Sequence, residues 1–267
     1  MSRAVGDCLA VATDSWSPGQ YERFATEREQ PFWDLLAMVE PAAGGSVVDL
    51  GCGTGELTRA LHERVGAAHT VGVDSSARML ERACAGDGLR FLHADIRDYE
   101  PDGPLAVVFS NAALHWLPEH RELYARLRSW LAPGGQLAVQ MPDNMDAITH
   151  RTAAEVGRDP RFAPYLDGAE RRGAILSAEE YAVLLHELGF ARQVVFRRIY
   201  AHLLPGRDDV VEWFRGSLLT EYKRLLPEDA YEEFLTAYRA TLLPRLDDRR
   251  PYLLPFPRVL MWAALPA

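Results

Sequence analysis

Three glycines stand at alternate positions in the stretch VVDLGCGTGEL, between a run of apolar residues and a helix-like pattern. Gly51, Gly53 and Gly55 allow a tight turn and let a ligand approach bare backbone. The backbone amides at the start of the following helix favour a carboxylate or a phosphate. A purely structural glycine turn is the alternative. A dinucleotide site has the spacing GxGxxG and a phosphate loop has Gly-Lys-Ser/Thr, and this stretch matches neither in full.

Aspartates follow three successive predicted strands. Asp49 precedes the glycine turn, Asp74 lies 23 residues after Gly51, and Asp95 is followed by Ile96. In an open parallel sheet the carboxyl ends of the strands meet at the edge where ligands bind, and a carboxylate after the second strand can accept hydrogen bonds from ribose hydroxyls. Asp95 with Ile96 suits an adenine ring, although each aspartate alone could start a turn. Together they predict a nucleoside ligand.

The elements that must position these residues alternate between strand and helix. Apolar runs predict seven strands, at residues 47–50, 69–73, 89–93, 105–110, 136–141, 193–202 and 258–265. Helical periodicity covers residues 21–39, 56–65, 76–85, 119–131, 148–157, 178–188 and most of 208–243. This alternation predicts a doubly wound, mostly parallel α/β sheet.

We expect a single domain with three parts. Residues 1–45 would form an N-terminal helical segment that covers the site, and residues 46–142 would form the ligand-binding core. Residues 143–267 would complete the sheet and carry helical insertions at 143–177 and 203–255, which would form a substrate lid.

Composition excludes several classes of protein. The chain has 267 residues with a net charge of −9, so nucleic acid is a poor partner. No run approaches the ~18 uninterrupted apolar residues of a membrane-spanning helix. The cysteines Cys8, Cys52 and Cys84 have neither disulfide nor metal-ligand spacing. We expect a cytoplasmic monomer that binds a small molecule and uses no metal, nucleic acid or membrane.

Five stretches together resemble the class I S-adenosylmethionine-dependent methyltransferase family: VVDLGCGTG, VGVDSS, HADI, FSNAALHWLPEH and LAPGGQLAVQMPDN. More narrowly, WSPGQYERFATER, NAALHW and QMPDN resemble the members of that family that methylate trans-aconitate, and a weaker likeness continues through YAHLLP, VVEWFRGSLL and FPRVLMWA. The resemblance implies a Rossmann-like fold and S-adenosyl-L-methionine as cofactor. It also implies methyl transfer to a carboxylate oxygen of a small polycarboxylate, which yields a monomethyl ester and S-adenosyl-L-homocysteine.

The resemblance further implies roles for individual residues. Asp74 would hold the ribose, the glycine turn would surround the methionine part of the cofactor, and Asn111 would face the sulfur that carries the methyl group. The residues implied to bind the cofactor are Asp49, Gly51, Gly53, Gly55, Asp74, Ser75, Met79, Asp95, Ile96, Asn111 and Ala112. The implied catalytic residues lie beside the methyl group or fold over it, and they are Tyr21, Arg28, His115 and Trp116.

Methyl transfer from this cofactor requires mainly positioning and the exclusion of water, because the methyl group arrives already activated. A carboxylate acceptor is ionised near neutral pH, so it needs no general base. A polycarboxylate requires cations and hydroxyls in its pocket, and arginine pairs with a carboxylate through two hydrogen bonds. The candidates are Arg28, His115, Tyr200, His202, Arg215 and Arg258, each of which could instead be an ordinary core or surface residue.

Three other functions remain open at this stage. A methyltransferase acting on the oxygen, nitrogen or carbon of another small molecule would show an apolar pocket lined by Trp116, Trp213, Phe214 and Tyr222. A non-catalytic S-adenosylmethionine-binding protein would bind the cofactor without turnover. A nicotinamide-dependent oxidoreductase is the third and would be recognised by its nucleotide binding.

Overall fold

The computed structural model of the protein describes residues 25–166 and 175–267, and of residues 25–28 only the backbone. Within these ranges one sheet contains β1 (Ser46–Leu50), β2 (His69–Asp74), β3 (Leu89–His93), β4 (Leu105–Asn111), β5 (Leu131–Pro142), β6 (Arg192–Leu204) and β7 (Tyr252–Ala264). The strand order is β3-β2-β1-β4-β5-β7-β6. Strands β1 to β5 are parallel, whereas β7 is antiparallel to both β5 and β6. The predicted seven-stranded, mostly parallel α/β fold is confirmed.

The central strands form because their apolar side chains are covered on both faces. Val47 and Val48 in β1 are both buried and point to opposite sides of the sheet, as successive residues of a strand do. Val107 and Val108 in β4 repeat this arrangement. Parallel strands that are covered on both faces are nearly continuous apolar runs, and this is why they were recognisable from the sequence.

Helices pack on both faces of the sheet and create two apolar cores. The described helices are α1 (Ala25–Leu36), α2 (Glu56–Val65), α3 (Ala77–Leu80), α4 (His120–Ser129), α5 (Ile148–Gly157), α6 (Ala163–Leu166), α7 (Ala178–Glu187), α8 (Asp208–Arg215), α9 (Leu218–Leu225) and α10 (Glu228–Leu242). The first core joins the sheet to α1, α2, α5, α8 and α10. The second core joins the opposite face to α4 and α7. None of these helices combines the length and the apolar character that crossing a membrane requires.

The helix predicted at 76–85 is wrong in length, because only Ala77–Leu80 is helical. Ser76 caps it, since its Oγ accepts a hydrogen bond from the Met79 backbone nitrogen at 3.2 Å. The Cys84 carbonyl accepts a hydrogen bond from Arg59 Nη2 at 2.6 Å. The chain then turns through Gly86 and Gly88 into β3.

The last strand begins at Tyr252, six residues before the predicted start at 258. Pro255 and Pro257 in this segment argue against a strand, because proline lacks the backbone N–H that a ladder needs. At both prolines β7 pairs with β6 alone, because its pairing with β5 ends at Arg258. On its other side this part of β7 is an edge strand, and an edge tolerates proline because no partner strand requires the missing N–H there.

Candidate functional site

The glycine turn follows β1 and is held against β2. The backbone nitrogens of Gly51 and Cys52 both donate to the Val73 carbonyl, at 2.8 and 3.1 Å. Gly51, Gly53 and Gly55 have φ values of +80°, +56° and +76°, a region that other residues rarely adopt. A Cβ on Gly51 would lie 2.2 Å from the Cβ of Ala113, so the turn also packs closely against the loop after β4.

Asp74 fixes the relative position of the turn and the end of β2. Its Oδ2 accepts a hydrogen bond from the Gly53 backbone nitrogen and its Oδ1 accepts one from the Ser76 backbone nitrogen, both at 2.8 Å. Ser75 is exposed, and its carbonyl lies 3.0 Å from His93 Nε2. Met79 is buried beside the turn, 3.3 Å from where a Gly53 Cβ would be.

Asp95 lies at the same edge, just after β3. It accepts hydrogen bonds from the backbone nitrogen and from Nε of Arg97, at 2.8 and 2.9 Å. The Arg97 guanidinium holds the pKa of Asp95 below its usual value. Asp95 therefore starts a turn, which was the structural alternative to a ligand-binding role. It nevertheless lies at the same edge of the sheet as Asp74. The neighbouring Ile96 is partly buried against the second core.

Asp49 is buried beneath the turn, where Thr58 Oγ1 donates to its Oδ2 at 2.6 Å. Burial raises the pKa of this carboxyl to about 7, and the charge of Asp74 raises it further, whereas the Thr58 hydrogen bond opposes the shift. A buried carboxyl between ionised and neutral at physiological pH responds strongly to any charge placed beside it. The charge of Asp49 therefore depends on the groups around it.

The loop after β4 contains a strained residue at its start. β4 ends at Asn111, and Ala112 then takes φ +56°, which is rare outside glycine, while its backbone nitrogen donates to the Gln140 carbonyl at 2.9 Å. Such strain concentrates at functional sites. Asn111 Oδ1 is buried and has no hydrogen-bond partner among the described residues. Polar side chains without a partner in such a place are typical of a ligand site.

His115 and Trp116 follow in a short 3-10 turn, with ring centroids 4.6 Å apart. Burial lowers the pKa of His115 to about 3, and the positive charge of Arg258 lowers it further. The ring is therefore neutral at physiological pH. Its Nδ1 is buried and accepts or donates no hydrogen bond within residues 25–166 and 175–267.

Of the predicted substrate residues, the structure brings Arg258 and Tyr200 to this side of the sheet. Arg258 is buried, donates to Gln140 Oε1 at 3.2 Å and stacks over the Phe256 ring at 4.9 Å. The Tyr200 hydroxyl donates to Asp34 Oδ2 at 2.6 Å. Burial, and then the bond to Asp34, raise the pKa of Tyr200, so it stays a neutral hydroxyl.

Of the remaining predicted residues, His202 lies beside Tyr200 with their ring centroids 6.4 Å apart, Arg215 lies on a helix, and two fall outside the description. His202 is buried in an aromatic cluster, 4.6 Å from the ring of Trp213. Arg215 ends α8 and pairs with Glu212 at 3.4 Å. The Arg28 side chain and all of Tyr21 lie outside the described residues. No group of three or more His, Cys, Asp or Glu side chains within the described ranges is arranged to hold a metal ion.

Two residues of this site were missed in the sequence. Gln140 lies within the QMPDN stretch, but nothing in that stretch predicted a role for it. Its contact is with Arg258, 118 residues away in the sequence. Asp34 lies in α1 and binds Tyr200 across 166 residues. It also pairs with Arg198 at 3.0 Å, which fastens α1 to β6.

Comparison with known proteins identifies the family. The family described as Methyltransferase domain matches residues 21–193. The chain is 42% identical over 254 residues to the trans-aconitate 2-methyltransferase of Methylobacterium nodulans, an alignment that covers 93% of this chain and 97% of that protein. The chain belongs to the class I methyltransferase family. The trans-aconitate 2-methyltransferase of Deinococcus radiodurans is 39% identical, with 94% of this chain and 99% of that protein covered.

The fold of this methyltransferase agrees with its sequence. The YcgJ protein of Bacillus subtilis matches with a TM-score of 0.60 and 15% identity, over 90% of this chain and 99% of that one. Members of the family use S-adenosylmethionine, and the residues here fit it. Asp74 places a carboxylate at the end of β2, Gly53 in the turn is partly exposed, and Asn111 Oδ1 is a buried acceptor without a partner in the described chain. The enzyme is an S-adenosylmethionine-dependent methyltransferase.

Proposed function

We propose that this methyltransferase transfers a methyl group to a carboxylate oxygen of trans-aconitate or a closely related small polycarboxylate. The observation that carries this proposal is the match, over more than nine-tenths of the chain, to relatives named trans-aconitate 2-methyltransferase. The buried cation of Arg258 supports it, because an anionic acceptor requires a positive group that is shielded from water. S-adenosylmethionine, when bound, supplies the activated methyl group.

The cofactor would lie along the ends of β1, β2, β3 and β4. In this proposal Asp74 binds the ribose hydroxyls, and Asp95, Ile96, Ser75 and Met79 surround the adenine. The methionine part lies against the glycine turn and Asp49, beside Asn111 and Ala112. A positive charge placed beside Asp49 would favour its ionised form, which burial disfavours.

The acceptor would lie between the loop after β4 and the place where the C-terminal part of β6 pairs with the N-terminal part of β7. His115 stays neutral there, because burial and the nearby Arg258 keep its pKa at about 3. A neutral ring can donate or accept a single hydrogen bond and cannot pair as a cation with the reacting carboxylate. The acceptor carboxylate is ionised at neutral pH, so the chain need only position it and exclude water. Tyr21, Arg28 and Trp116 are proposed to complete the enclosure.

An apolar acceptor receives less support from the packing. Trp213 and Phe214 are fully buried in the first core, where each ring contacts Phe256. Tyr222 stacks on Phe234 at 4.5 Å. Trp213, Phe214 and Tyr222 therefore pack against other aromatic rings of the core, and this packing gives no support to an acceptor pocket lined by them. We retain the cytoplasmic location, the monomeric state and the lid formed by the helical insertions as predictions.

A panel of acceptors tests the proposal. The enzyme and labelled S-adenosylmethionine are incubated separately with trans-aconitate, cis-aconitate, isocitrate and citrate, and the labelled product is quantified. We expect transfer to trans-aconitate to be the fastest, and to fall in an Arg28→Ala variant. Absence of transfer to all four acids would refute the assignment of the acceptor and leave the family unchanged.

A further inference from the structure

A glutamine and an arginine form a buried pair on adjacent antiparallel strands. Gln140 in β5 is fully buried, and its Oε1 accepts a hydrogen bond from Arg258 Nη1 at 3.2 Å. The Phe256 ring lies 4.9 Å beneath the guanidinium. A neutral amide on one side and a ring on the other restrict the orientation of the guanidinium.

The pair lies at the same edge as the predicted methyl-transfer site. Gln140 is the register partner of Asn111 in the β4–β5 ladder. Its Nε2 is buried and, like His115 Nδ1, has no hydrogen-bond partner among the residues that the structure describes. Buried donors without a partner are costly unless a ligand satisfies them. A buried cation, an amide donor and a neutral imidazole therefore face one region.

The charges in this region suit two carboxylates with different roles. A carboxylate paired to a guanidinium is held firmly, but its oxygen lone pairs are then engaged in charge-assisted hydrogen bonds. An oxygen that must attack a methyl group needs a free lone pair. A neutral group such as His115 can orient that oxygen at less cost to its reactivity than an arginine.

We propose that Arg258 and Gln140 Nε2 bind a carboxylate of the acceptor other than the one that is methylated, and that Gln140 positions Arg258 for this task. The inference rests on the proposed function for the identity of the acceptor. It adds that the enzyme selects acceptors by the presence of this second carboxylate, and that Gln140 determines this specificity.

Substitution of Gln140 by glutamate tests the inference. Gln140→Glu keeps the shape of the side chain but places an anion against Arg258, which competes with the acceptor carboxylate. Binding of trans-aconitate to the enzyme loaded with S-adenosylhomocysteine is measured by calorimetry. We expect the affinity for trans-aconitate to fall by ~10-fold or more, the scale of a lost charge-assisted hydrogen bond. Affinity for S-adenosylhomocysteine should change less than ~2-fold, because the cofactor does not contact the pair in this proposal.

Three further variants separate this role from a general effect on the fold. Gln136→Glu is the matched control, since Gln136 is buried on the same strand and face but binds Trp262 Nε1 and Glu40. It should leave the affinity for trans-aconitate unchanged. Gln140→Met removes both amide contacts without adding charge and should also weaken binding, which covers the case that Gln140→Glu does not fold. Arg258→Gln should weaken binding, and adding Gln140→Glu to it should cause no further loss.

Binding and turnover distinguish the two proposals. Unchanged trans-aconitate affinity in both Gln140 variants, an equal loss in Gln136→Glu, or no binding to the wild type would overturn the inference. If the expected losses occur but the wild type transfers no methyl to trans-aconitate, the carboxylate site stands and the proposed function fails. If transfer occurs at equal KM in the wild type and Gln140→Glu, the proposed function stands and the inference fails.

Discussion

Asp74 Oδ2 accepts a hydrogen bond from the Gly53 backbone nitrogen at 2.8 Å, across 21 residues of chain. This contact joins the second strand to the glycine turn after the first. The same carboxylate accepts the Ser76 nitrogen through its other oxygen. One side chain therefore sets the spacing between the turn and the start of α3.

Replacing this carboxylate should weaken cofactor binding. In Asp74→Asn one oxygen becomes an NH₂ group, which cannot accept an amide hydrogen and repels the backbone donor that faces it. We expect the affinity for S-adenosylhomocysteine, measured by calorimetry, to fall by ~10-fold or more. Asp87→Asn, at an exposed position before β3, is the control and should bind normally. Equal affinities in the two variants would show that Asp74 does not contact the cofactor.

A methyl group on Gly51 should cost more than backbone strain alone. Gly51→Ala combines φ +80° with a Cβ that would lie 2.2 Å from Ala113, whereas Gly44→Ala has φ +75° and open space around it. Left-handed strain costs about 1–2 kcal/mol in both variants, and overpacking adds about 1–3 kcal/mol in Gly51→Ala alone. Urea unfolding should therefore rank Gly51→Ala as the less stable variant. Equal losses would mean that the Ala113 loop moves aside freely.

Removing the Asp49 carboxyl should change how stability depends on pH. Its folded pKa of about 7 lies above the ordinary value of 3.8. Between these two values the folded state keeps a proton that the unfolded state has lost, so the contribution of Asp49 to stability falls as pH rises. Through this carboxyl, the free energy of unfolding of the wild type should fall by about 2 kcal/mol between about pH 5 and about pH 7.5. Asp49→Asn lacks the carboxyl and should not show this fall. Urea unfolding at both pH values measures this, and parallel changes in the two proteins would contradict a raised pKa.

His115 should not determine the acid limb of the pH–rate profile. Because its pKa is lowered to about 3, the ring stays neutral across the range in which the enzyme is assayed. We expect kcat/KM of the wild type and of His115→Gln to change in parallel between about pH 5 and about pH 8, although the variant is slower throughout. An acid limb near the ordinary histidine pKa that disappears in His115→Gln would show that the imidazole titrates during turnover.

The sheet, and the edge at which we propose that the cofactor binds, have signals that are local in the sequence. The glycine turn follows β1 directly, and the three aspartates lie in or just after their strands: Asp49 within β1, Asp74 at the end of β2 and Asp95 two residues after β3. In a parallel sheet the carboxyl ends of the strands meet at one edge, so residues that are far apart in the sequence come together there. The resemblance extended this to Asn111 and the loop after it.

The acceptor side was less predictable because its contacts are long-range. Gln140 meets Arg258 only through the register of β5 and β7, and Tyr200 meets Asp34 only after α1 packs on the sheet. The first half of β7 was not predicted because it contains prolines, and whether a strand tolerates proline depends on whether that strand has a partner on both sides. No local spacing records these pairings, so the amide beside the arginine was visible only in the folded chain.

The most direct test of the central claim is the chemical identity of the transferred methyl group. The enzyme is incubated with methyl-labelled S-adenosylmethionine and trans-aconitate, and the isolated product is treated with dilute base. A carboxyl methyl ester is hydrolysed under these conditions, so we predict that the label is released as volatile methanol and that unlabelled trans-aconitate is regenerated. Label that stays in a base-stable product, or the absence of any labelled product, would contradict methylation of a carboxylate oxygen.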